Sequence, residues 1–252
     1  MKPVYIVSWL FALAVSFVSC DDWLDKTPKD RLYPDVYFKT EDELRLFTNQ
    51  FYNNLVPSAV DIYSESSDLI VKSDLMLEMS GQRIIPDEGN GWNFTALRDI
   101  NFYLQYSHNC TEVNARNRYD GVARFFRAYF YFEKVKRYGD IPWYDKALDS
   151  DDPELYKARD SREFVMQKTL EDLDFAIANL PKTKNAYVLT RWTALALKSR
   201  VCLFEGTFRK YHGLEDYEKY LNACVSASET FMNESGYTLY KSCLLYTSDA
   251  AD

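Results

Sequence analysis

Trp92 and Asn93 stand side by side in a stretch that also holds Arg83 and, further upstream, Asp74. An indole offers a flat apolar face, and a carboxamide, a guanidinium and a carboxylate offer directional donors and acceptors around it. That combination suits a saccharide, whose ring has an apolar face and a rim of hydroxyls. Asp74, Arg83, Trp92 and Asn93 are therefore the candidate ligand-binding residues. The same tryptophan could instead staple the helix that follows it to the core, and the residues alone leave both readings open.

Other chemistries find little support. The chain has no GxSxG, HExxH, GxGxxG or P-loop pattern, which leaves hydrolase, zinc-protease and nucleotide-binding readings without a motif. Two histidines, His108 and His212, leave little room for histidine-based metal or triad chemistry. A carboxylate pair could make a glycosidase, but among 38 acidic residues no pair stands out. Asp149-Ser-Asp-Asp-Pro-Glu154 has the outline of a calcium loop, yet Pro153 takes the fifth ligand position and the turn glycine is missing. A solvated acidic turn is the simpler reading. No catalytic residue, metal site or cofactor is expected.

Composition sets the frame around these residues. The 252 residues are 47% hydrophobic and 27% charged with 8 Gly and 8 Pro, a balance that folds and excludes collagen-like and disordered chains. Aromatic content reaches 16%, enough to fill a core and still leave platforms at the surface. The net charge of −8 repels phosphate backbones, so no nucleic-acid partner is expected.

The N-terminus carries an address. Lys2 is followed by an apolar run of about fifteen residues to Val18, then Ser19-Cys20 and polar Asp21-Asp22. The run is short of the ~20 apolar residues a spanning helix needs and fits a signal peptide. Phe17-Val18-Ser19-Cys20 resembles a bacterial lipobox with Phe in the usual Leu position. Residues 1–19 are thus expected to be removed, leaving Cys20 as a lipidated first residue whose acyl chains hold a membrane at ~0.8 kcal/mol per buried CH₂. Of the remaining cysteines, Cys202 and Cys224 fall on apolar helix faces, where they act as small hydrophobes or pair with each other.

Helices must position everything else. Residues 20–39 have no period and read as an extended tether. Thr40-Glu-Asp-Glu43 is a capping box with Leu44, Phe47, Phe51 and Leu55 behind it, and Pro57 stops that helix. Residues 58–94 are irregular, as functional loops often are. A helix follows over 95–106, burying Leu97, Ile100 and Leu104. Four stronger ones run over 121–138, from Asp160-Ser-Arg-Glu163 to Leu180, from Thr190 through Phe204, and over 215–232, the last burying Tyr217, Leu221, Cys224 and Phe231. No strand alternation is evident. The expectation is an all-α fold of tetratricopeptide-like helical hairpins with long irregular loops. The helical domain is expected to run over 40–242. Residues 243–252, Cys-Leu-Leu-Tyr-Thr-Ser-Asp-Ala-Ala-Asp, bury nothing obvious and resemble a translated sequencing adapter, a non-native tail on a longer parent.

Several segments together resemble the SusD/RagB family of outer-membrane nutrient-binding lipoproteins. Cys20-Asp-Asp-Trp-Leu-Asp-Lys-Thr-Pro28 is close to the family's start after its lipidated cysteine, and Trp92 leading to Ile100-Asn101 is like its early Trp…Ile…Asn helix. The most specific segment is Arg127-Ala-Tyr-Phe-Tyr-Phe-Glu-Lys-Val-Lys-Arg-Tyr-Gly-Asp-Ile-Pro-Trp143, which looks like the family hallmark. Arg159-Asp-Ser-Arg162, Asp172-Leu-Asp-x-Ala176 with Leu180-Pro181, and the Thr190-Arg191 helix follow in family order. The resemblance covers residues 1–242 as the N-terminal half of a family member.

It implies a lipid-anchored, surface-exposed outer-membrane protein that binds glycans or oligosaccharides, or peptides, and passes them to a TonB-dependent (SusC-like) transporter without catalysis. In the starch-binding member, early loops supply Asp, Arg, Trp and Asn contacts, which matches the region of Asp74 to Asn93 but no residue individually. The helices between 121 and 232 would then face the transporter. Arg127 and Tyr138 are read as packing residues. The competing function is a helical-repeat scaffold lipoprotein with no small-molecule ligand.

Overall fold

Thr40 and Glu43 close the box that opens the first helix. The Glu43 amide donates to Thr40 Oγ1 at 3.3 Å, and the Glu43 carboxylate accepts from the Thr40 amide at 3.2 Å. The structure, a computed structural model, describes residues 36–56, 80–82, 84 and 91–239. Helix α1 spans Glu41–Leu55, with three acidic residues in its first turn to complement the helix dipole. Its stripe of Leu44, Thr48 and Phe51 is buried. Phe38, Phe47 and Phe51 meet Phe102, Tyr103 and Phe126 mostly edge-on, with ring centroids 5.6 to 6.2 Å apart. These pairs add to the ~1.5–3 kcal/mol that burying each large apolar side chain contributes.

Helix α2, Thr95–Tyr106, falls where the periodicity places it. Leu97 and Ile100 are buried as expected, but Tyr103 and Asn101 complete the face and Leu104 is only half-buried. A 3₁₀ turn over Ser107–Asn109 leads to helix α3, Val113–Tyr138, which begins well before the expected residue 121. Glycine inside a helix costs roughly 1 kcal/mol, so Gly121 reads locally as a boundary. Packing overrides that cost: a Cβ at Gly121 would lie 3.4 Å from Leu180 Cγ of the next helix, and the bare glycine lets the two helices approach. At the other end Gly139 takes φ +71 and Pro142 bars any resumption.

Helix α4 spans Arg162–Asn179. Its cap is Ser161, which accepts from the Phe164 amide, while Asp160 is diverted to the loop before it. Thr190 caps helix α5, Arg191–Tyr211, with Thr193 answering from the third position. Helix α6 spans Tyr217–Glu234 and follows a left-handed Asp216. Its fully buried residues are Tyr220 and Ala227, and Tyr217, Leu221, Cys224 and Phe231 are half-buried. Among the described residues this helix packs chiefly on α5, which leaves much of its surface open.

The chain therefore forms an all-α layer. Helices α3 and α4 make one hairpin, α5 and α6 a second, and α4 on α5 joins them, with α1 and α2 against α3. Among the described residues no strand occurs, only an isolated bridge between Ile141 and Asp160. No helix among them is long and apolar enough to cross a membrane.

Between the hairpins lies a fully buried Glu205. Arg162 reaches its Oε2 at 2.7 Å and Arg209 its Oε1 at 2.9 Å. Arg209 also donates to the Glu215 carbonyl, tying the α5–α6 turn to the same carboxylate. Such a pair is neutral to stability as a whole and costly to break singly.

Candidate functional site

The residues from Arg127 to Trp143 build a frame rather than a ligand contact. Arg127, nine-tenths or more buried, grips Asp172 of α4 through Nε at 2.6 Å and Nη2 at 2.8 Å, and donates Nη1 to Asn101 of α2 at 3.3 Å. Asn101 in turn donates to the carbonyl of Tyr144 at 2.8 Å. The Tyr131 hydroxyl accepts from the Tyr144 amide at 2.6 Å, and its ring stacks on Trp143 with centroids 4.2 Å apart. Trp143 is buried and packs as core. Asp160 receives the Trp143 amide at 2.7 Å, and Asp140 receives the Arg162 amide at 2.8 Å. One loop, 139–161, is thus tied to α2, α3 and α4 by satisfied polar groups, buried at Arg127, Asn101 and Tyr131 and more open at Asp140 and Asp160.

On this frame sits Trp92, 38% exposed. Its ring meets Tyr138 edge-on at 4.9 Å and Phe94 at 5.2 Å, and the Arg159 guanidinium lies 4.8 Å from its centroid. It does staple, but to the far end of α3, and over a third of its surface remains open. Gly91, at φ +87, makes the approach possible. A Cβ there would lie 3.2 Å from the Tyr138 hydroxyl and 3.3 Å from Arg137 Nη1. The Gly91 carbonyl accepts from Lys134 of α3, which fixes the loop from below. Burial and the nearby Arg137 charge lower the pKa of that ammonium from the ordinary lysine value.

Asn93 turns its Oδ1 to the Thr95 amide at 2.8 Å, opening α2, which leaves the Nδ2 donors outside that turn. It also lines a groove of about 440 Å³ with Asn54, Thr95, Tyr129, Glu133 and Lys134. Burial raises the Tyr129 hydroxyl above the usual tyrosine range, so it stays a neutral donor and acceptor. Glu133 is paired with Lys136 at 2.6 Å. The groove offers carboxamides, two hydroxyls and one neutralised carboxylate beside an exposed indole. That set recognises a neutral polar ligand with an apolar face.

Of the expected site residues Trp92 and Asn93, adjacent in sequence, are described, whereas Asp74, Arg83 and Cys20 lie outside the described residues. Sequence reasoning missed Arg159 and the far wall of the groove. Tyr129 shares a helical face with apolar Phe125, Phe126 and Phe132, and Asn54 is separated from Asn93 by the irregular segment. The acidic turn resolves as the simpler reading has it: Asp152 caps the 3₁₀ turn Pro153–Tyr156, and Lys146 bridges Asp152 and Glu154 at 3.4 and 3.1 Å. Cys110, Cys202 and Cys224 are free thiols, so the Cys202–Cys224 pairing is not formed. Ser199 stands between the helices there, 3.5 Å from Cys224 Sγ and 2.7 Å from Ser228 Oγ.

Comparison with known proteins gives one answer. Residues 52–191 match the SusD-like_2 family, described as starch-binding and associating with the outer membrane. Among curated proteins, two SusD-like proteins of Formosa agariphila, P38 and P2, are 24% and 28% identical over 81% and 79% of the chain. The chain spans 43% of the length of each. A crystal structure of a SusD-like protein from Bacteroides fragilis superposes with a TM-score of 0.64 at 23% identity, over 85% of this chain and 42% of that one. A SusD homologue from Bacteroides thetaiotaomicron gives 0.60 at 18% identity, over 82% and 43%. These likenesses carry the helical fold.

Proposed function

This chain belongs to the SusD-like family, and we propose that it serves as the N-terminal half of a lipid-anchored outer-membrane protein that captures glycans or oligosaccharides. The observation that carries this reading is Trp92, an indole left over a third open and next in sequence to Asn93, which lines a groove of carboxamides and hydroxyls. The family's description as starch-binding and outer-membrane-associated supports the same ligand class and location. The lipobox-like Phe17-Val18-Ser19-Cys20 supports anchoring through Cys20 at the cell surface. Asp74 and Arg83 would add an acceptor and a donor to the Trp92–Asn93 platform. Captured ligand passes to a TonB-dependent, SusC-like transporter that meets the α3–α6 side.

The mechanism is binding and release with no bond broken. A glycosidase needs two carboxyl groups, roughly 5–10 Å apart, flanking the scissile bond. The groove's lining holds one carboxylate, Glu133, and that one is ion-paired.

The test is isothermal titration of the purified chain from Cys20 onward with maltohexaose, laminarihexaose, cellohexaose and xylohexaose. Saturable binding to at least one, weakened tenfold or more by Trp92→Ala, is the expected result. No binding across this set, or across a peptide panel, would leave a ligand-free scaffold. Pull-down with the wild-type chain from outer-membrane extract checks the transporter, which is expected to co-purify.

A further inference from the structure

A larger groove lies away from Trp92, where the start of α3, the end of α4 and the α4–α5 loop converge. Its volume is about 580 Å³, inside the roughly 300–1,000 Å³ range of small-molecule sites. Four carboxamides, those of Asn114, Asn117, Asn179 and Asn185, line it with Thr183 and Arg118. The two grooves share no lining residue. We propose that this amide-lined groove is a second saccharide subsite, distinct from the Trp92 platform. The assignment rests on the carbohydrate reading above for its ligand class and on its own geometry for the site.

Charge and hydrogen bonding narrow the ligand. The lining contains no carboxylate, and its one cation, Arg118, is already paired with Glu41 at 3.4 Å. A charged ligand has no free counter-charge there, so a neutral one is favoured. The Asn179 amide group donates to the Phe175 carbonyl at 2.9 Å, which leaves its oxygen as an acceptor. Asn185 uses its oxygen on the Tyr187 amide at 2.8 Å, which leaves its nitrogen as a donor. Asn114 and Asn117, one turn apart on α3, carry both functions on one face. A fixed acceptor, a fixed donor and two amides that offer both functions match hydroxyls, each of which donates and accepts.

The wall is built in advance. The Arg191 amide donates to the Pro181 carbonyl at 3.0 Å, Trp192 Nε1 to the Lys182 carbonyl at 2.6 Å, and the Leu189 amide to the Tyr52 hydroxyl at 3.0 Å. Binding therefore orders little backbone, which removes a main cost of association. Tyr187, whose amide is held by Asn185, is 91% exposed. Carboxamides also serve an extended peptide, so the peptide is an arm of the test.

Titrating the ¹⁵N-labelled chain with the four hexasaccharides, and with a neutral Gly-Ser hexapeptide, separates the outcomes. A saccharide is expected to shift signals of residues 114–118 and 179–188, and to keep doing so in Trp92→Ala. The Asn114→Ala/Asn117→Ala double variant is expected to weaken those shifts tenfold or more while the fold persists, because alanine is the better helix former. Saccharide shifts confined to the Trp92 region would overturn the second subsite and leave the platform standing. Shifts confined to residues 114–118 and 179–188 would do the reverse. Response to the peptide alone, or to nothing, would overturn it.

Discussion

Arg127 of α3 and Asp172 of α4 are joined by two hydrogen bonds, 2.6 and 2.8 Å long, with both side chains more than nine-tenths buried. Arg124 reinforces the carboxylate from 3.8 Å, its guanidinium 4.1 Å from the Phe175 ring centroid. The pair joins the two helices of the first hairpin, and through Asn101 it ties α2 to them.

Removing one partner leaves a buried charge alone. Arg127→Ala or Asp172→Asn is expected to cost about 3–5 kcal/mol in urea unfolding. The apolar double variant Arg127→Met/Asp172→Leu is expected to recover most of that, because no uncompensated charge remains. Equal losses in the single and double variants would show that the contact matters through packing alone.

The second hairpin depends on a different economy of space. A Cβ on buried Gly206 would stand 2.7 Å from Leu221 Cδ2 and 2.8 Å from its Cγ, closer than real contacts allow. Gly206→Ala is expected to destabilise by about 1–3 kcal/mol through overpacking. Adding Leu221→Ala should relieve the clash, giving a coupling of about 0.5–3 kcal/mol in a double-mutant cycle. Additive effects would mean that α6 shifts to make room.

How much of this was legible follows from the range of each signal. Thr40, Gly139 with Pro142, and Thr190 mark helix ends through contacts within four residues, so the sequence alone places them. Gly121 misleads because its reason is Leu180, a helix away. Ser161 rather than Asp160 caps α4 because Asp160 is taken by Ile141 and Trp143, a pairing no local pattern encodes. Trp92 and Asn93 are readable as residue types suited to a sugar. The wall opposite them is not, since Asn54, Tyr129 and Glu133 reach it only when α1 packs on α3. The amide groove is still less visible, joining residues 114–118 to 178–188 through the first hairpin.

Cys202 and Cys224 face one another's helices without bonding, and burial pushes the Cys202 thiol up to about 12. The thiolate is the reactive form, so Cys202 is expected to resist iodoacetamide at pH 8 in the folded chain and to react once urea unfolds it. Peptide mass spectrometry reads both states. A Cys202–Cys224 disulfide in protein secreted to an oxidising compartment would contradict the free-thiol arrangement.

Asp120 gives the fold a readable pH dependence. Its Oδ1 and the Tyr103 hydroxyl are both buried, and Asp120 interacts with Tyr103 and Ser107. Burial raises the Asp120 carboxyl above the usual aspartate range, and Ser107, Tyr103, Arg124 and Arg116 pull it down by less. The folded chain thus favours the protonated acid more than the unfolded chain does. Its contribution is fully present below the unfolded value of about 3.9 and is lost as pH rises through the raised folded value. Asp120→Asn stays neutral throughout, so its Tm relative to wild type is expected to climb between pH 4 and pH 7, roughly 2–4 °C for each kcal/mol regained. Parallel Tm profiles for the two proteins across that window would mean that Asp120 ionises in the fold as freely as it does in the unfolded chain.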